Sequence, residues 1–468
     1  YLNVVELRGN REKLAYLAEF LPRLPGTGII YTATKHDAEM VAAFLQQQGV
    51  QAEYYHAGRE EEDVRRSIEQ QFMANGYKVV CATNALGMGI DKPDIRFVIH
   101  FQVPGSPIHY YQEIGRAGRD GKVSWCVLLF DLADMQVQEY FIQSAKPAAQ
   151  CYEFVLSLLQ VTPLGLQEIM QLSGYPQKSV QNILFDLEEQ HFIERNAKER
   201  TYSAVPHLAR IELDAYDAVR EQKLRELQSM QDYTRLRSCF MEYLTTHLGD
   251  EPGYTCRSCG NCRSPNFPVM RYSTRIYQAA GHFLEEEYLP RIEKRGGERR
   301  PEHEAGWSLS YHGGMPAGKQ VRASKYEEAG PFPRSLVQRA IETLRARYPI
   351  EAIDGIVSVP PTRSGPLVET FARQVAGQLG IAYTPVIEKV RETNEQKSLS
   401  NWVQKKKNVE GAFCVPVPER VADRAFLVID DIYDSGYMLR EVGLTLMRAG
   451  AKAVYPFTIT RTAHSDDQ

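Results

Sequence analysis

The sequence contains no long hydrophobic run, and no stretch approaches the roughly 20 consecutive apolar residues that a membrane-spanning helix needs. Its first residues, 1–5, also lack the basic start and the apolar run of a secretory signal peptide. We therefore expect no membrane partner and a location in the cytoplasm. The chain does not begin with methionine, which suggests that it is a piece of a longer protein.

Neither sign of charge dominates the composition. With 55 Lys and Arg against 59 Asp and Glu, the formal net charge is −4. This balance provides no overall attraction to nucleic acid, so binding to it would depend on local basic patches. The hydrophobic fraction of 43% is ordinary for a globular protein. A chain of 468 residues exceeds what one hydrophobic core supports, and we expect about three or four domains.

A complete P-loop is also missing. This motif, G-x-x-x-x-G-K-[ST], cradles phosphates with glycine amides and binds Mg²⁺ with its hydroxyl. The nearest match, Gly313 to Gln320, has Gln320 where the hydroxyl belongs, and the preceding stretch 308–312 is short and polar. No Asp-Glu pair follows a hydrophobic strand upstream of residue 112. We therefore expect that this chain does not hydrolyse ATP alone.

What the chain does contain is a loop with two glycine-preceded arginines. Residues 112–121 read QEIGRAGRDG, with Arg116 and Arg119 three positions apart. Their planar guanidinium groups match phosphate oxygens bidentately, and the glycines let the backbone approach a ligand closely. The alternative is a solvated basic loop on an unrelated α/β domain. We interpret the pattern as a phosphate contact.

Short apolar strands alternate with amphipathic helices over residues 1–147, which predicts an α/β domain with a parallel sheet. The clearest strands are expected at 28–32, 77–83, 95–100 and 125–130, and the clearest helix at 35–48. Ligands of such sheets gather at the carboxyl ends of the strands. We expect Thr32, Thr83 and the loop 112–121 at that edge.

Three segments of this domain resemble RecQ-family helicases: Tyr55-His56-Ala57-Gly58, residues 82–93 as motif V, and residues 112–121 as motif VI. The resemblance implies the second RecA-like lobe of an ATP-dependent 3′-to-5′ DNA helicase, with the first lobe absent from this chain. ATP and Mg²⁺ would bind only together with that first lobe. The implied roles are triphosphate contact for Gln112, Arg116 and Arg119, with Arg119 as the arginine finger, nucleotide contact for Gly89 and Asp91, and DNA contact for Thr83.

Residues 148–207 are expected to form a winged helix. Apolar residues at helical spacing predict helices at 164–172 and 177–190, and a hairpin follows over 192–204. Winged helices commonly read duplexes, and we assign DNA contacts to Lys178 and Ser179. The alternative is a unit that only packs against its neighbours. RecQ helicases usually place the winged helix after the zinc module, whereas here it comes first.

Cys239, Cys256, Cys259 and Cys262 form the pattern C-x₁₆-C-x₂-C-x₂-C, within an expected module over 208–270. Four thiolates bind Zn²⁺ tetrahedrally, and four protein ligands leave no open position for catalysis. The spacing resembles the RecQ zinc module, and we predict a structural zinc ion. We expect Cys239 to lie on one long helix over 213–247. The alternatives are a disulfide pair or a redox site.

A second α/β pattern follows a polar, glycine-bearing stretch at 296–304. We assign 271–305 to a helical linker and 306–468 to the second α/β domain. A buried strand at 426–431 ends in Asp430 and Asp431, and a helix after residue 438 runs to about residue 449. Adjacent carboxylates at a strand end can hold a ribose diol, and loop amides at a helix start bind phosphate.

Together with residues 385–413, this loop resembles type I phosphoribosyltransferases of the ComF group. The resemblance implies a phosphoribosyl pyrophosphate or nucleotide ligand with Mg²⁺. The implied contacts are Asp430 and Asp431 with ribose hydroxyls, Ser435 and Gly436 with a 5′-phosphate, and Asp434 near a base. Met438 replaces the Thr or Ser that the family usually has. An alternative interpretation is a DNA-facing basic patch that includes Arg391 and the run 405–407.

The leading hypothesis is the C-terminal part of a RecQ-like helicase, a bacterial cytoplasmic, nucleoid-associated enzyme of DNA repair or recombination, fused to a phosphoribosyltransferase-like domain. Its expected partners are single-stranded and forked DNA and ATP, and we expect a monomer. A second hypothesis is a phosphoribosyltransferase or nucleotide sensor that uses the helicase part for targeting. A third is a non-enzymatic platform for DNA binding and partner docking.

Overall fold

The computed structural model divides the chain into two compact units, one built from residues 1–146 and 212–284 and the other from 147–211 and 285–464. The structure describes residues 1–56, 62–84, 91–144, 146–206, 211–212, 214–262, 271–297, 300–311, 318, 320–321, 323–327, 330–361, 366–394, 399 and 401–462. Among these residues, none of the helices combines the length and the apolar composition that crossing a membrane requires.

Six parallel strands form the sheet of the first unit, in the order β1-β6-β5-β2-β4-β3. They are β1 (Leu2–Glu6), β2 (Thr27–Tyr31), β3 (Ala52–Tyr55), β4 (Val79–Ala82), β5 (Ile95–His100) and β6 (Trp125–Phe130). The central strand β2 is buried along its whole length, because helices cover both faces of a parallel sheet. This confirms the parallel α/β sheet that the sequence predicts.

The helices of this lobe are α1 (Gly9–Phe20), α2 (Lys35–Gln47), α3 (Glu62–Met73), α4 (Pro107–Ile114) and α5 (Asp134–Ser144). Thr34 and Ser106 begin α2 and α4, and each side chain accepts a backbone N–H of the first turn. A buried ion pair joins α1 to α5, with the Lys13 ammonium 2.6 Å from the Asp134 carboxylate. Burial raises the pKa of Asp134 to about 6, although Lys13 opposes the shift.

Residues 149–204 form three helices and a three-stranded sheet, in the helix-turn-helix and hairpin order expected of a winged helix, and we keep that name for them. Its elements are α6 (Ala149–Val161), β7 (Leu164–Gly165), α7 (Leu166–Ser173), α8 (Gln177–Glu189), β8 (Ile193–Asn196) and β9 (Thr201–Ala204). The three strands are antiparallel, in the order β7-β9-β8. Helix α7 ends at Gly174, whose φ of 78° lies in the left-handed region that favours glycine at helix ends.

The single helix expected over 213–247 is wrong, because the chain forms two helices there. Helix α9 (Asp214–Thr234) ends before the first ligand cysteine, and α10 (Phe240–His247) begins directly after it. Cys239 caps α10, since its sulfur accepts the backbone N–H of Glu242. The Asn261 side chain donates to the carbonyls of Leu236 and Ser238 in the break. The interruption frees the Cys239 sulfur to turn toward the other cysteines.

The segment 271–305, expected to be a helical linker, contains helix α11 (Thr274–His282) and then three short strands: β10 (Arg291–Ile292), β11 (Arg295–Gly297) and β12 (Arg300–His303). Strands β11 and β12 pair as a hairpin, and β10 joins the sheet of the second unit. Glu302 and His303 on β12 are buried despite their polarity. The polar composition that suggested a linker therefore belongs to a hairpin packed on the second unit.

The second unit contains a five-stranded sheet in the order β10-β13-β18-β17-β14, parallel except for β10. The other strands of this sheet are β13 (Gly306–Tyr311), β14 (Gly355–Ser358), β17 (Ala425–Tyr433) and β18 (Ala453–Arg461). A separate antiparallel pair consists of β15 (Glu388–Lys389) and β16 (Phe413–Cys414). Its helices are α12 (Arg334–Arg347), α13 (Leu367–Leu379), α14 (Trp402–Val409) and α15 (Tyr437–Arg448).

Strand β17 is longer than predicted. The expectation that it ends at the two acids is wrong, because Ile432 and Tyr433 still pair with Thr460 and Arg461 of β18. Only residues 434–436 remain as a loop before α15. Met438 lies inside that helix. Most of the near-match to a P-loop, residues 313–317 and 319, lies outside the described residues.

Candidate functional sites

The loop with the two arginines is placed by helix α4 and by one glycine. Helix α4 runs back along the sheet from the carboxyl end of β5, and its last turn contributes residues 112–114 of the predicted loop. Gly118 has a φ of 66°, and its N–H donates to the Ile95 carbonyl at 2.9 Å. A Cβ on Gly118 would lie 2.8 Å from the Lys122 carbonyl oxygen, so only glycine fits. The turn thus requires the glycine that precedes Arg119.

The expectation that the whole loop lies at the carboxyl ends of the strands is wrong. Thr32 and Thr83 do lie there, where their backbone N–H groups donate to the carbonyls of Ala82 and Tyr55. Gly118, in contrast, bonds to the first residue of β5, at the opposite edge of the sheet. The reason is the direction of α4, which carries the chain back toward the amino ends of the strands.

The two arginines have different surroundings. Arg116 is half-buried beside Tyr31, the last residue of β2. Burial raises the pKa of the Tyr31 phenol, and the nearby Arg116 guanidinium opposes that shift. Arg119 is exposed, and its Nη1 lies 2.7 Å from Asp91 Oδ1. The Asp91 side chain is 83% exposed, so this ion pair is weak and easily exchanged for another anion.

A buried pair that sequence reasoning missed holds α4 against the sheet. His100 Nε2 lies 2.7 Å from Glu113 Oε2, and the His100 ring stacks on Tyr31 and meets Tyr110 edge-on. His100 ends β5, and Glu113 directly follows the predicted site residue Gln112, which is exposed. The two residues are 13 positions apart, and no local sequence pattern marks them as partners.

A cavity of about 370 Å³ opens beside this pair. Its polar lining comes from Tyr31, Thr32, Asn84, His100, Gln102, His109, Glu113, Gln138, Lys223 and Glu226. Gln102 is fixed on one wall, since its amide accepts the Ala33 N–H and donates to Asp37. The cavity therefore has an ordered polar wall at the carboxyl ends of β2 and β5.

The remaining helicase-type positions are divided between the two units. Lys178 is exposed and Ser179 half-buried, both in the first turn of α8 on the second unit. Thr83 is half-buried at the end of β4. The predicted nucleotide contact Gly89, like residues 57–58 of the Tyr-His-Ala-Gly element, lies outside the described residues.

The four predicted zinc ligands come together. The sulfur atoms of Cys239, Cys256, Cys259 and Cys262 all lie within 4.8 Å of one another. Zinc–thiolate bonds of about 2.3 Å place tetrahedral sulfurs about 3.8 Å apart, so the cluster matches a zinc ion. All eight cysteines, each among the described residues, are free thiols, and no pair forms a disulfide. The donor set fits structural zinc and not the disulfide alternative.

Backbone amides favour the thiolate form at Cys256, whereas burial raises the pKa of the Cys259 and Cys262 thiols. Burial opposes ionisation of Cys256, but hydrogen bonds from Ser258 and Cys259 lower its pKa to about 6. The knuckle also supports the sheet, because the Gly260 N–H donates to the Leu2 carbonyl on β1 at 2.8 Å. A Cβ on Gly260 would meet the Asn3 side chain at 2.5 Å. The metal site and the edge strand therefore form one packed structure.

The acidic loop of the second unit contains its own counter-ions. Asp431 Oδ2 lies 2.5 Å from the Lys325 ammonium, and Asp434 Oδ2 lies 2.5 Å from the Lys405 ammonium. Burial and the neighbouring Asp431 raise the pKa of Asp430 to about 7, although Lys325 opposes the shift. The sequence identified the acids but not the Lys partners. Lys405 points to this loop and not outward, as the DNA-facing patch would require.

Gly436 starts helix α15 with a φ of 75°, and a Cβ there would lie 2.5 Å from the Tyr433 hydroxyl. The backbone of Ser435 and Gly436 thus opens the helix at the position predicted for a phosphate. Arg391, within the stretch 385–413 that resembles the ComF group, donates to the carbonyls of Lys407, Asn408 and Glu410 at the end of α14. Residues 395–398 of the same stretch lie outside the described residues.

Two protein-family models match this chain. The helicase conserved C-terminal domain matches residues 12–121, and the RecQ zinc-binding domain matches residues 188–263. The first match covers α4 and the arginine loop. The second covers the four cysteines.

Known helicases are similar to part of the chain. The ATP-dependent DNA helicase RecQ of Bacillus subtilis is 29% identical over 50% of this chain and 28% of its own length. The ATP-dependent helicase SGS1 of Saccharomyces cerevisiae is 48% identical over 26% of this chain and 8% of its own. The ATP-dependent DNA helicase Q1 of Rattus norvegicus is 44% identical over 28% of this chain and 21% of its own length. The chain spans less than a third of each relative. Together these similarities show that the chain contains the C-terminal part of a RecQ-like DNA helicase.

Proposed function

We propose that this chain completes the ATP site of a 3′-to-5′ DNA helicase and binds the DNA that the enzyme unwinds in repair or recombination. The observation that carries the proposal is the arginine loop. Arg116 is half-buried beside Tyr31, and Arg119 is exposed, where it contacts the solvent-facing Asp91 and the Gly115 carbonyl. Arginines placed in this way can stabilise the charge that develops on a transferred phosphoryl group.

In this proposal the P-loop is supplied from outside these 468 residues, because the sequence contains no complete copy. Closure of that lobe against the arginine loop would let Arg119 exchange Asp91 for the γ-phosphate. The exchange costs little, since an exposed ion pair contributes only about 0–1 kcal/mol. Gln112 is exposed at the start of the segment 112–121 and would contact the triphosphate.

The proposed DNA contacts are Thr83 on the first unit and Lys178 and Ser179 on the second. Thr83 lies at the carboxyl end of β4, where its N–H is bonded to Tyr55 and its side chain is half-buried. Lys178 is exposed in the first turn of a helix that has no acidic residue there. Zinc has a structural role in this scheme, because it joins the module to β1 through the Cys259–Gly260 knuckle.

Strand separation by the protein that also carries a P-loop lobe tests the proposal. We expect ATP-dependent unwinding of a duplex with a 3′ single-stranded tail. The matched duplex with a 5′ tail should not be unwound. The 468-residue chain alone should bind forked DNA and should not hydrolyse ATP. Unwinding that requires a 5′ tail, or ATP hydrolysis by this chain alone, would contradict the assignment.

We propose in addition that the C-terminal α/β region is a type I phosphoribosyltransferase-like domain of the ComF group that binds phosphoribosyl pyrophosphate with Mg²⁺. The supporting observation is the order β18-β17-β14 with Asp430 and Asp431 near the end of the middle strand and a glycine-started helix after it. The ligand would have to displace Lys325 and Lys405 from the acids. Titration calorimetry of this chain with phosphoribosyl pyrophosphate and Mg²⁺ checks the proposal, and an absence of heat above background would reject it.

A further inference from the structure

The winged helix is docked on helix α14 of the same unit through buried polar contacts. Asn401, only 3% exposed, donates from its amide to the carbonyls of Met170 and Tyr175 at 2.5 and 2.9 Å. Gln404 donates in the same way to the carbonyl of Gln171 at 2.8 Å. The last carbonyls of a helix lack partners within it, and here Asn401 and Gln404 donate to two of those of α7, at Met170 and Gln171. The turn between α7 and α8 is thereby held against α14.

This docking places a tryptophan beside the start of α8. The Trp402 Nε1–H donates to Gln177 Oε1 at 3.1 Å, and Gln177 is the first residue of α8. Trp402 is 37% exposed, whereas Trp125 and Trp307 are less exposed. One hydrogen bond therefore orients a large aromatic ring that remains open to solvent.

The two chain segments that carry this ring and its hydrogen-bond partner contain no acidic residues. Residues 177–185 and the whole of α14 contain no Asp or Glu, in a protein whose net charge is −4. Lys178 is exposed next to Gln177, and Lys406 is exposed one helical turn after Trp402. Residues four apart share a face of a helix, so Lys406 and the indole lie side by side. Lys405 does not contribute, because Asp434 neutralises it.

We propose that Trp402, Lys178 and Lys406 form a binding site for single-stranded DNA, in which an unpaired base stacks on the indole and the lysines contact the flanking phosphates. An exposed aromatic ring between cations is the arrangement that binds single strands without sequence preference. A base within a duplex has no free face for such stacking, so the site selects single strands. The inference rests on the proposed DNA binding by the winged helix and assigns it a further contact.

The test measures binding of a fluorescent oligothymidylate of about 15 nucleotides to the 468-residue chain by anisotropy. Trp402→Ala should weaken single-strand affinity at least about fivefold, because stacking on one aromatic is worth about 1–3 kcal/mol per base. Trp402→Phe keeps a stacking ring and should retain most of the affinity. Gln177→Ala removes the orienting hydrogen bond but keeps the indole, so its loss should be smaller than that of Trp402→Ala. Tyr254→Ala, a change at another exposed aromatic, is the matched control and should have no effect.

Intrinsic fluorescence gives a second readout. A base stacked on Trp402 should quench the tryptophan emission of the chain, and the quenching should disappear in Trp402→Phe while that variant still binds. Unchanged affinity in Trp402→Ala, or equal losses in Trp402→Ala and Gln177→Ala without quenching, would overturn the stacking site and leave the proposed function intact. If the chain binds neither single-stranded nor forked DNA at low salt, both the site and the proposed DNA role of the winged helix fail.

Discussion

The arginine loop of the first unit and the acidic loop of the second are both charged motifs that the sequence marks as phosphate or nucleotide sites, but their charges are neutralised differently. Arg119 pairs with an acid that is 83% exposed. Asp431 and Asp434 each pair with a lysine at 2.5 Å, and in both pairs every side chain is at least three-quarters buried. The ion pair of the first site is open to exchange with another anion, whereas the acids of the second site are occupied by lysines of the same chain.

This difference follows from how ion pairs depend on solvent. An exposed pair is screened and contributes about 0–1 kcal/mol, so in the proposed site an incoming phosphate would replace Asp91 at little cost. A buried pair is strongly coupled, and removing one partner leaves an uncompensated charge. A ligand of the acidic loop must therefore supply cations, such as Mg²⁺, that replace the two lysines. The same sequence feature, a charged loop at a glycine, thus belongs to an accessible site in one case. In the other case it belongs to a site whose acids are already paired with lysines.

The largest effect is expected at the open site. Arg119→Ala should reduce the DNA-stimulated ATPase of the protein that carries a P-loop lobe at least about a hundredfold, because arginine fingers contribute about 10³–10⁵ in rate. The matched control is Arg23→Ala in the same lobe, an exposed arginine that pairs with Glu19 of helix α1. ATP turnover measured with and without single-stranded DNA checks the prediction. Retained turnover in Arg119→Ala would remove the finger assignment.

Zinc removal should affect the two loops unequally. Cys259→Ser should lose the metal, measured by elemental analysis, and should expose α4 and the arginine loop to hydrogen exchange, because Cys259 is buried against Tyr233 and Phe240 next to α4. Helix α15 and the acidic loop belong to the other unit and should keep their protection.

Cys414→Ser is the control for the zinc experiment, because Cys414 lies outside the cluster. It should retain about one zinc per chain and the exchange pattern of the unmodified protein. Uniform loss of protection in both units of Cys259→Ser would show that zinc supports the whole chain and not the first unit. Full metal content in that variant would contradict the ligand set.

Removing a lysine partner from the acidic loop should strengthen the binding of cations by that loop. Lys405→Met removes the ammonium that neutralises Asp434, and we expect the affinity of the loop for Mg²⁺ to rise about tenfold, the size of one hydrogen bond to a charged group. Lys407→Met, an exposed neighbour on α14, should leave it unchanged. Calorimetric titration with Mg²⁺ alone compares the two variants. Equal affinities would show that Lys405 does not close the loop.

How far the sequence predicts these sites depends on the distance between contacting residues. The cysteine ligands and the strands of the first sheet follow from local spacing and period, which act within a few residues. Lys325 reaches Asp431 across 106 positions, and Asn401 reaches Met170 across 231. No local pattern encodes such pairs. The break before Cys239 depends on similarly distant contacts, since the Asn261 side chain bonds to carbonyls 25 and 23 positions away.

The smallest effect concerns the carboxyl groups that each unit buries, Asp134 in the first and Asp430 in the second. Their pKa values are raised from 3.8 to about 6 and about 7, so between about pH 4 and those values the folded state holds a proton that the unfolded state has lost. The free energy of unfolding therefore falls as pH rises through that window, and Asp430 alone contributes above about pH 6. Asp430→Asn should flatten the fall of the thermal midpoint between about pH 6 and 7.5, whereas Asp134→Asn should flatten only the part below about pH 6. Identical profiles for the unmodified chain and Asp430→Asn, followed by scanning calorimetry, would show that Lys325 and Lys405 neutralise the acidic loop more completely than its burial suggests.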